Sequence, residues 1–210
     1  YEYEWADKYL IATFPSRHYD IELYPAVKRH LLSFGKERLE QTGKTYSING
    51  EKIKARKKTH NKWFETQDSI SYWEDFMRPK IIWKRIGSIL RFSYDTTGNL
   101  GLDSTCFATG QHMAYLCCIL NSLMGHYMFK DSPKTGTGDL LVSVQAIEPI
   151  LIPMNKDMEC LFEKLLEEVL EHRSEETEKE INRLAFKLYD LSPAEINYIT
   201  DFVTQSQQSQ

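Results

Sequence analysis

The chain has 210 residues, a formal net charge of -4 and 41% apolar residues, ordinary values for a soluble globular protein with a sizeable core. No apolar run is long enough to span a bilayer, the Tyr1 to Lys8 start is aromatic and acidic rather than a signal peptide, and no membrane partner is expected. Cys106, Cys117, Cys118 and Cys160 lack C-x-x-C spacing, which argues against a metal or disulfide framework and for reduced core thiols in a cytoplasmic protein.

In chain order, Tyr9 to Thr13 is a short apolar run suited to a strand. Pro25 opens a helix with Val27, Leu31, Phe34 and Leu39 on its face, ended by Gly43. Residues 44 to 62 are polar and basic, with a hairpin turn available at Asn49-Gly50, and read as an exposed excursion from the core. Trp63, Phe64, Tyr72, Trp73 and Phe76 form an aromatic cluster. Lys80 to Ile86 and Ile89 to Tyr94 read as strands around Gly87-Ser88, and Ser104 to Thr109 as another. Gln111 to Phe129 is a long apolar helix, and Lys130 to Asp139, with Pro133, Gly136 and Gly138, is a loop. Leu140 to Val144 and Ile147 to Ile152 look like strands, Pro149 and Pro153 confining the second to an edge or an end. Met158 to Tyr189 is helical. Ser192 is then an N-cap, Pro193 a first-turn proline and Glu195 a capping-box carboxylate. The Gln/Ser-rich tail, 204 to 210, is expected to fray.

This pattern predicts an α/β (α+β) fold, a twisted mixed sheet flanked by helices with a C-terminal helical segment. Residues 1–155 are the expected main domain, 156–203 helices packed on it, and 204–210 a flexible tail. The chain starts at Tyr1 rather than Met, as expected of a fragment or a processed chain.

Charge is unevenly placed. Lys44, Lys52, Lys54, Arg56, Lys57, Lys58 and Lys62 share one window; Arg78, Lys80, Lys84, Arg85 and Arg91 follow; Glu159 to Glu180 is acidic. A phosphate-facing surface with a remote acidic side gives this asymmetry, and so do an ordinary lysine-rich loop and glutamate-rich helix. Candidate DNA contacts are Lys54, Arg56, Lys57, Lys58, His60, Asn61 and Lys62, then Arg78, Lys80, Lys84 and Arg85, then Lys130 and Lys134 in the glycine-containing loop. Lys84 and Arg85 are consecutive, so on a strand they point to opposite faces. Trp63 and Phe64 are expected to anchor the window rather than touch bases.

Catalytic signatures are sparse. No two prolines adjoin, so the Asn-Pro-Pro-aromatic or Asp-Pro-Pro-aromatic turn of amino-methyltransferases is missing, and Gly136-Thr-Gly138 lacks a Walker lysine or dinucleotide fingerprint. His112 and His126 read as structural. No metal site is expected.

The ending Ile181 to Ile199, Ile-Asn-Arg-Leu-Ala-Phe-Lys-Leu-Tyr-Asp-Leu-Ser-Pro-Ala-Glu-Ile-Asn-Tyr-Ile, resembles a signature of enzymes that fuse an adenine methyltransferase to a DNA-reading domain. Tyr9-Leu-Ile, Tyr24-Pro25 followed by His30-Leu31, Trp63-Phe64, Arg78-Pro-Lys-Ile-Ile82, Ile119-Leu-Asn-Ser122 and Ile150-Leu-Ile-Pro153 precede it in one order. The ordered set resembles the TaqI-like C-terminal specificity domain of type IIG restriction–modification enzymes. That resemblance implies a target-recognition domain for double-stranded DNA, covalently attached to an adenine-N6 methyltransferase. S-adenosylmethionine, with Mg in any nuclease, would belong to those other domains, and this chain would be non-catalytic. Two other classes stay open: a protein-interaction or assembly module without DNA binding, and a small divergent nuclease.

Overall fold

The computed structural model describes residues 1–68 and 70–208. They fall into two compact units, residues 6–73 and residues 1–5 with 74–210.

In the 6–73 unit, α1 (Pro25–Leu32) and α2 (Lys36–Leu39) replace the single expected helix. They part at Gly35, whose φ of 87° is a left-handed conformation that only glycine adopts cheaply. A two-stranded antiparallel ribbon follows, β1 (Thr45–Ile48) and β2 (Glu51–Lys54). Its turn is Asn49-Gly50, with φ of 49° and 84°, as the sequence predicts. Backbone bonds extend the pairing: Ala55 N to Lys44 O at 2.9 Å, Gly43 N to Arg56 O at 2.9 Å and Arg56 N to Glu40 O at 3.0 Å. The apolar core is small: Phe14, Ile21, Ala55 and Phe64. Trp73 meets Phe14 edge to face at 5.0 Å. Tyr9 to Thr13 is not a strand; Tyr9 and Leu10 are exposed, and the segment joins no sheet.

The larger unit is built on a three-stranded antiparallel sheet in the order β5 (Phe92–Asp95), β3 (Lys80–Lys84), β6 (Thr105–Thr109). Ile81 and Trp83 of the central strand alternate into the core. Beyond Arg85 the chain leaves this sheet: β4 (Ile86–Gly87) pairs with β7 (Leu140–Leu141), and Val142 N bonds Arg85 O at 2.8 Å. The chain adopts the expected class, helices with sheet and a helical C-terminus. Its strands form small separate antiparallel sheets rather than one mixed sheet.

The long apolar helix is divided into α3 (Met113–Asn121) and α4 (Leu123–Met128). Ser122, with ψ of 166°, caps α4 by accepting from Gly125 N at 3.1 Å. A side chain at Gly125 would meet Ile119 O at 2.2 Å, so the break depends on that glycine. The segment 147–152, expected as a strand, joins no sheet: Ile147 ends the short helix α5 (Val144–Ile147) and 148–152 follow it as irregular chain. The loop before them, 130–139, is as expected.

Met158 to Tyr189 folds as two helices, α6 (Lys156–Glu171) and α7 (Glu175–Leu188), each capped at its start by Asn155 or Ser174. α6 packs on α3 and α7 on α6. Phe162, Leu166, Val169, Ile181, Leu184 and Ala185 thereby join the core of Ile81, Phe92, Tyr115 and Ile119. α8 (Pro193–Gln208) packs on α4 through Ile199 and Val203. It begins with the expected capping box: Ser192 N donates to Glu195 Oε2 at 2.8 Å, and Glu195 N donates back to Ser192 Oγ at 3.4 Å. The Gln/Ser-rich segment from Thr204 continues the helix to Gln208; residues 209 and 210 lie outside the described residues.

The cysteines are all free. Cys117 and Cys118 are buried, and burial pushes the Cys117 thiol up to about 12 and that of Cys118 well above its ordinary value. Cys160 departs from expectation: it is exposed on α6.

Candidate nucleic-acid interface

The two units divide the charge sharply. Residues 6–73 hold 13 of the 26 Lys and Arg but 8 of the 30 Asp and Glu. A net surplus of positive charge on so small a unit, in a chain that is acidic as a whole, is a phosphate-attracting field.

The basic window is less uniform than its sequence suggests. Arg56 is half-buried and its guanidinium is spent on the fold: Nε donates to Leu39 O at 2.8 Å, Nη1 to Glu65 O at 3.1 Å and Nη2 to Trp63 O. Burial lowers its pKa. Asn61 likewise donates Nδ2 to Thr66 O at 2.9 Å and Gln67 O at 3.2 Å. Buried Gln41 donates to Glu65 O at 2.7 Å and Lys62 O at 3.0 Å, and Glu65 accepts from Lys62 N at 2.7 Å. Arg56 and Asn61 are therefore corrected from DNA contacts to structural donors. Residues 55–65 are not an excursion; their carbonyls, with few apolar side chains nearby, need these donors to be desolvated at all.

Lys54, Lys57, Lys58, His60 and Lys62 remain exposed. Lys57 pairs with Asp68 at 2.6 Å, and Lys62 lies 5.6 Å from the ring centre of Phe64. Phe64 is buried and Trp63 half-buried, packed edge to face at 5.7 Å. Among the described residues Lys44, Lys52, Lys54 and Lys58 form no ion pair.

The other candidates lie in the larger unit. Lys80 is fully buried: Nζ donates to Phe76 O at 2.6 Å and pairs with Asp95 Oδ2, so it cannot meet a phosphate. Asp95 Oδ1 accepts from Tyr3 Oη at 2.8 Å, Thr97 N at 2.8 Å and Thr97 Oγ1 at 2.7 Å. Burial works to raise the Asp95 pKa, but the hydrogen bonds from Lys80, Thr97 and Tyr3 outweigh it and hold the carboxyl below its ordinary value. The alternation that marked β3 as a strand does not reveal a lysine turned inward toward a carboxylate.

Lys84 and Arg85 are both exposed at the end of β3. Arg78 is exposed and pairs with Asp75 at 3.1 Å. Lys130 is paired with Asp131 and lies 5.4 Å from the Tyr127 ring centre. Lys130 and Lys134 line one cavity of about 80 Å³ with Phe129, Leu140, Phe202 and Val203. His112 stands just before α3 without capping it and bonds Glu159, while His126, its pKa lowered by burial, bonds Gln207 at 3.2 Å; both make contacts within the fold.

Lys52 is missing from the candidates read from sequence, yet it shares a ribbon face with Lys54. The alternation of Thr45, Ser47, Lys52 and Lys54 against half-buried Tyr46, Ile48 and Ile53 is the signal that finds it.

Among the described residues no three His, Cys, Asp or Glu side chains converge as a metal site, and no helix is long and apolar enough to cross a membrane. The model of the TaqI-like C-terminal specificity domain matches residues 26–147. No curated protein matches the chain.

Proposed function

Because the chain belongs to the TaqI-like C-terminal specificity domain family, with a DNA-recognition role in restriction–modification systems, we propose that it binds duplex DNA site-specifically for an attached adenine-N6 methyltransferase. The observation that carries this reading is the concentration of exposed, unpaired lysines on the 6–73 unit. Lysines and arginines at phosphates release counterions and supply affinity, while groups that reach base edges supply the sequence. Methyltransferases must extrude their target base, so a reader that fixes the register of the duplex decides which adenine is presented. Residues 1–155 act as the recognition domain, and the helices over 156–203 support it from within the shared core.

The methyl donor is held elsewhere. This chain offers no methyl-transfer site: the adjacent-proline turn that would hold the target amine is missing, and the closely spaced glycines 136 and 138 lie on an exposed loop without a dinucleotide fingerprint. Methylation, and any magnesium-dependent cleavage, belong to domains joined to this one in a parent restriction–modification enzyme of the cytoplasm, type IIG in organisation.

Titrating a labelled duplex with the chain over a salt series tests the reading. DNA binding predicts a log–log slope of about -0.9 per phosphate contacted. Absence of duplex binding at low salt, or binding indifferent to salt, would reject it in favour of a protein-assembly module.

A further inference from the structure

The β1–β2 ribbon presents two unlike faces. Cross-strand partners Thr45 and Lys54, and Ser47 and Lys52, share one face and are exposed. Tyr46 and Ile53, half-buried, share the other. The buried face is fastened to the unit, because Tyr46 Oη donates to Glu40 Oε2 at 2.7 Å and bonds Thr42 Oγ1 at 3.1 Å. The exposed face carries no apolar side chain to bury and no carboxylate. Glu51, the ribbon's single acid, pairs with Ile48 on the fastened face.

Resting on the DNA-binding reading above, we infer that this ribbon enters the major groove and reads bases with Ser47 and Lys52. Two strands lie roughly 4.8 Å apart, and with side chains they fill a major groove about 12 Å wide but not a minor groove about 6 Å wide. Four paired residues at about 3.4 Å per step give a ribbon roughly 10 Å long from first to last pair, more than the groove's depth of about 8.5 Å. The Asn49-Gly50 turn leads. Ser47 and Lys52, one pair behind the tip, reach base edges: a lysine ammonium donates to guanine O6 and N7, and a serine hydroxyl donates or accepts. Thr45 and Lys54, nearer the base of the ribbon, meet the phosphates at the groove's lip.

The test selects binders from a duplex pool with a randomised core, using the full chain and its Ser47→Ala, Lys52→Ala and Lys54→Ala variants, with a salt series for each. Expected is a wild-type preference that Ser47→Ala and Lys52→Ala relax by roughly tenfold at one or two adjacent base pairs. Replacing a selected guanine by 7-deazaguanine should weaken the wild type and leave Lys52→Ala unchanged. Lys54→Ala should keep the preference and flatten the salt slope by about 0.9. Wild-type selection untouched by Ser47→Ala and Lys52→Ala overturns the ribbon inference alone. Salt-dependent binding without any wild-type selection overturns base reading by the ribbon. No binding to any duplex overturns the DNA-binding reading, and the ribbon inference with it.

Discussion

Residues 6–73 carry a surplus of 5 positive charges, and residues 1–5 with 74–210 a surplus of 9 negative ones. Their interiors differ as much as their surfaces. The larger unit buries Trp83, Phe92, Tyr115, Ile119, Phe129 and Phe162 in one continuous apolar core. The smaller one buries four apolar side chains beside Gln41 and Glu65, and it is fastened by a half-buried arginine on three carbonyls. A unit whose surface collects cations has little apolar sequence left to spend on a core, so directional hydrogen bonds take over the work of fixing its chain. The difference also separates two uses of the same residue type: arginine and lysine can be exposed for a ligand or turned inward for the fold.

The sharpest break of this contrast is in the apolar core. Phe162 is fully buried and meets Tyr115 edge to face at 5.2 Å. Phe162→Ala should lower unfolding free energy by about 3 to 5 kcal/mol, read by urea denaturation. A loss below about 1 kcal/mol, the size of a surface change, would mean that α6 is not part of the core.

Lys80 and Asp95 form the larger unit's buried charge pair, and Lys80→Met should cost up to about 3 to 5 kcal/mol by leaving the carboxylate uncompensated. Its pH dependence has a definite sign. The Asp95 carboxyl is held below its ordinary 3.8 in the fold. Its contribution is therefore complete above that value and is lost as pH falls through the depressed folded pKa. Stability of the wild type should drop on acidification below about pH 4 more steeply than that of Lys80→Met. Parallel profiles of urea midpoint against pH would show that the pair does not depress the carboxyl.

In the smaller unit Arg56→Ala should cost about 1 to 3 kcal/mol, since it strands the carbonyls of Leu39, Trp63 and Glu65. Arg56→Lys should not restore them, because an ammonium cannot span the fork of a guanidinium. Hydrogen exchange localises the effect: amides between 40 and 65 should lose protection while those of β3 keep it. Protection unchanged in the 40–65 segment, with DNA affinity lost, would return Arg56 to the ligand surface.

Lys54→Ala and Lys58→Ala should be the mildest for stability, within about 0.5 kcal/mol, as for exposed side chains without partners. Their effect belongs to binding, where each phosphate contact removed flattens the salt slope by about 0.9. A thermal midpoint unchanged together with an unchanged salt slope would make these lysines plain solvated surface.

Much of this was open to a reading of the chain alone. The Asn49-Gly50 turn, the capping box at Ser192 and two strands, expected over 80–86 and 89–94 and found over 80–84 and 92–95, are local signals, set by backbone preference and short-range periodicity. The family resemblance was carried by ordered motifs from Tyr9 to the Ile181–Ile199 ending, and the family's model matches residues 26–147. What a charge plot could not supply was direction. Lys80 and Lys84 stand on the same strand, yet one is sealed against Asp95 and the other meets solvent. Arg56 and Lys58 are two residues apart, yet one closes the fold and the other is free to bind. Likewise the apolar run after Tyr9 and that after Ile147 are not strands, because a strand needs a partner edge and the fold offers them none. Local sequence determines which conformations a segment favours. Which cations are desolvated, and which are left to meet a ligand, is decided by what the rest of the chain brings beside them, since burying a charge is tolerable only where a partner is already in place.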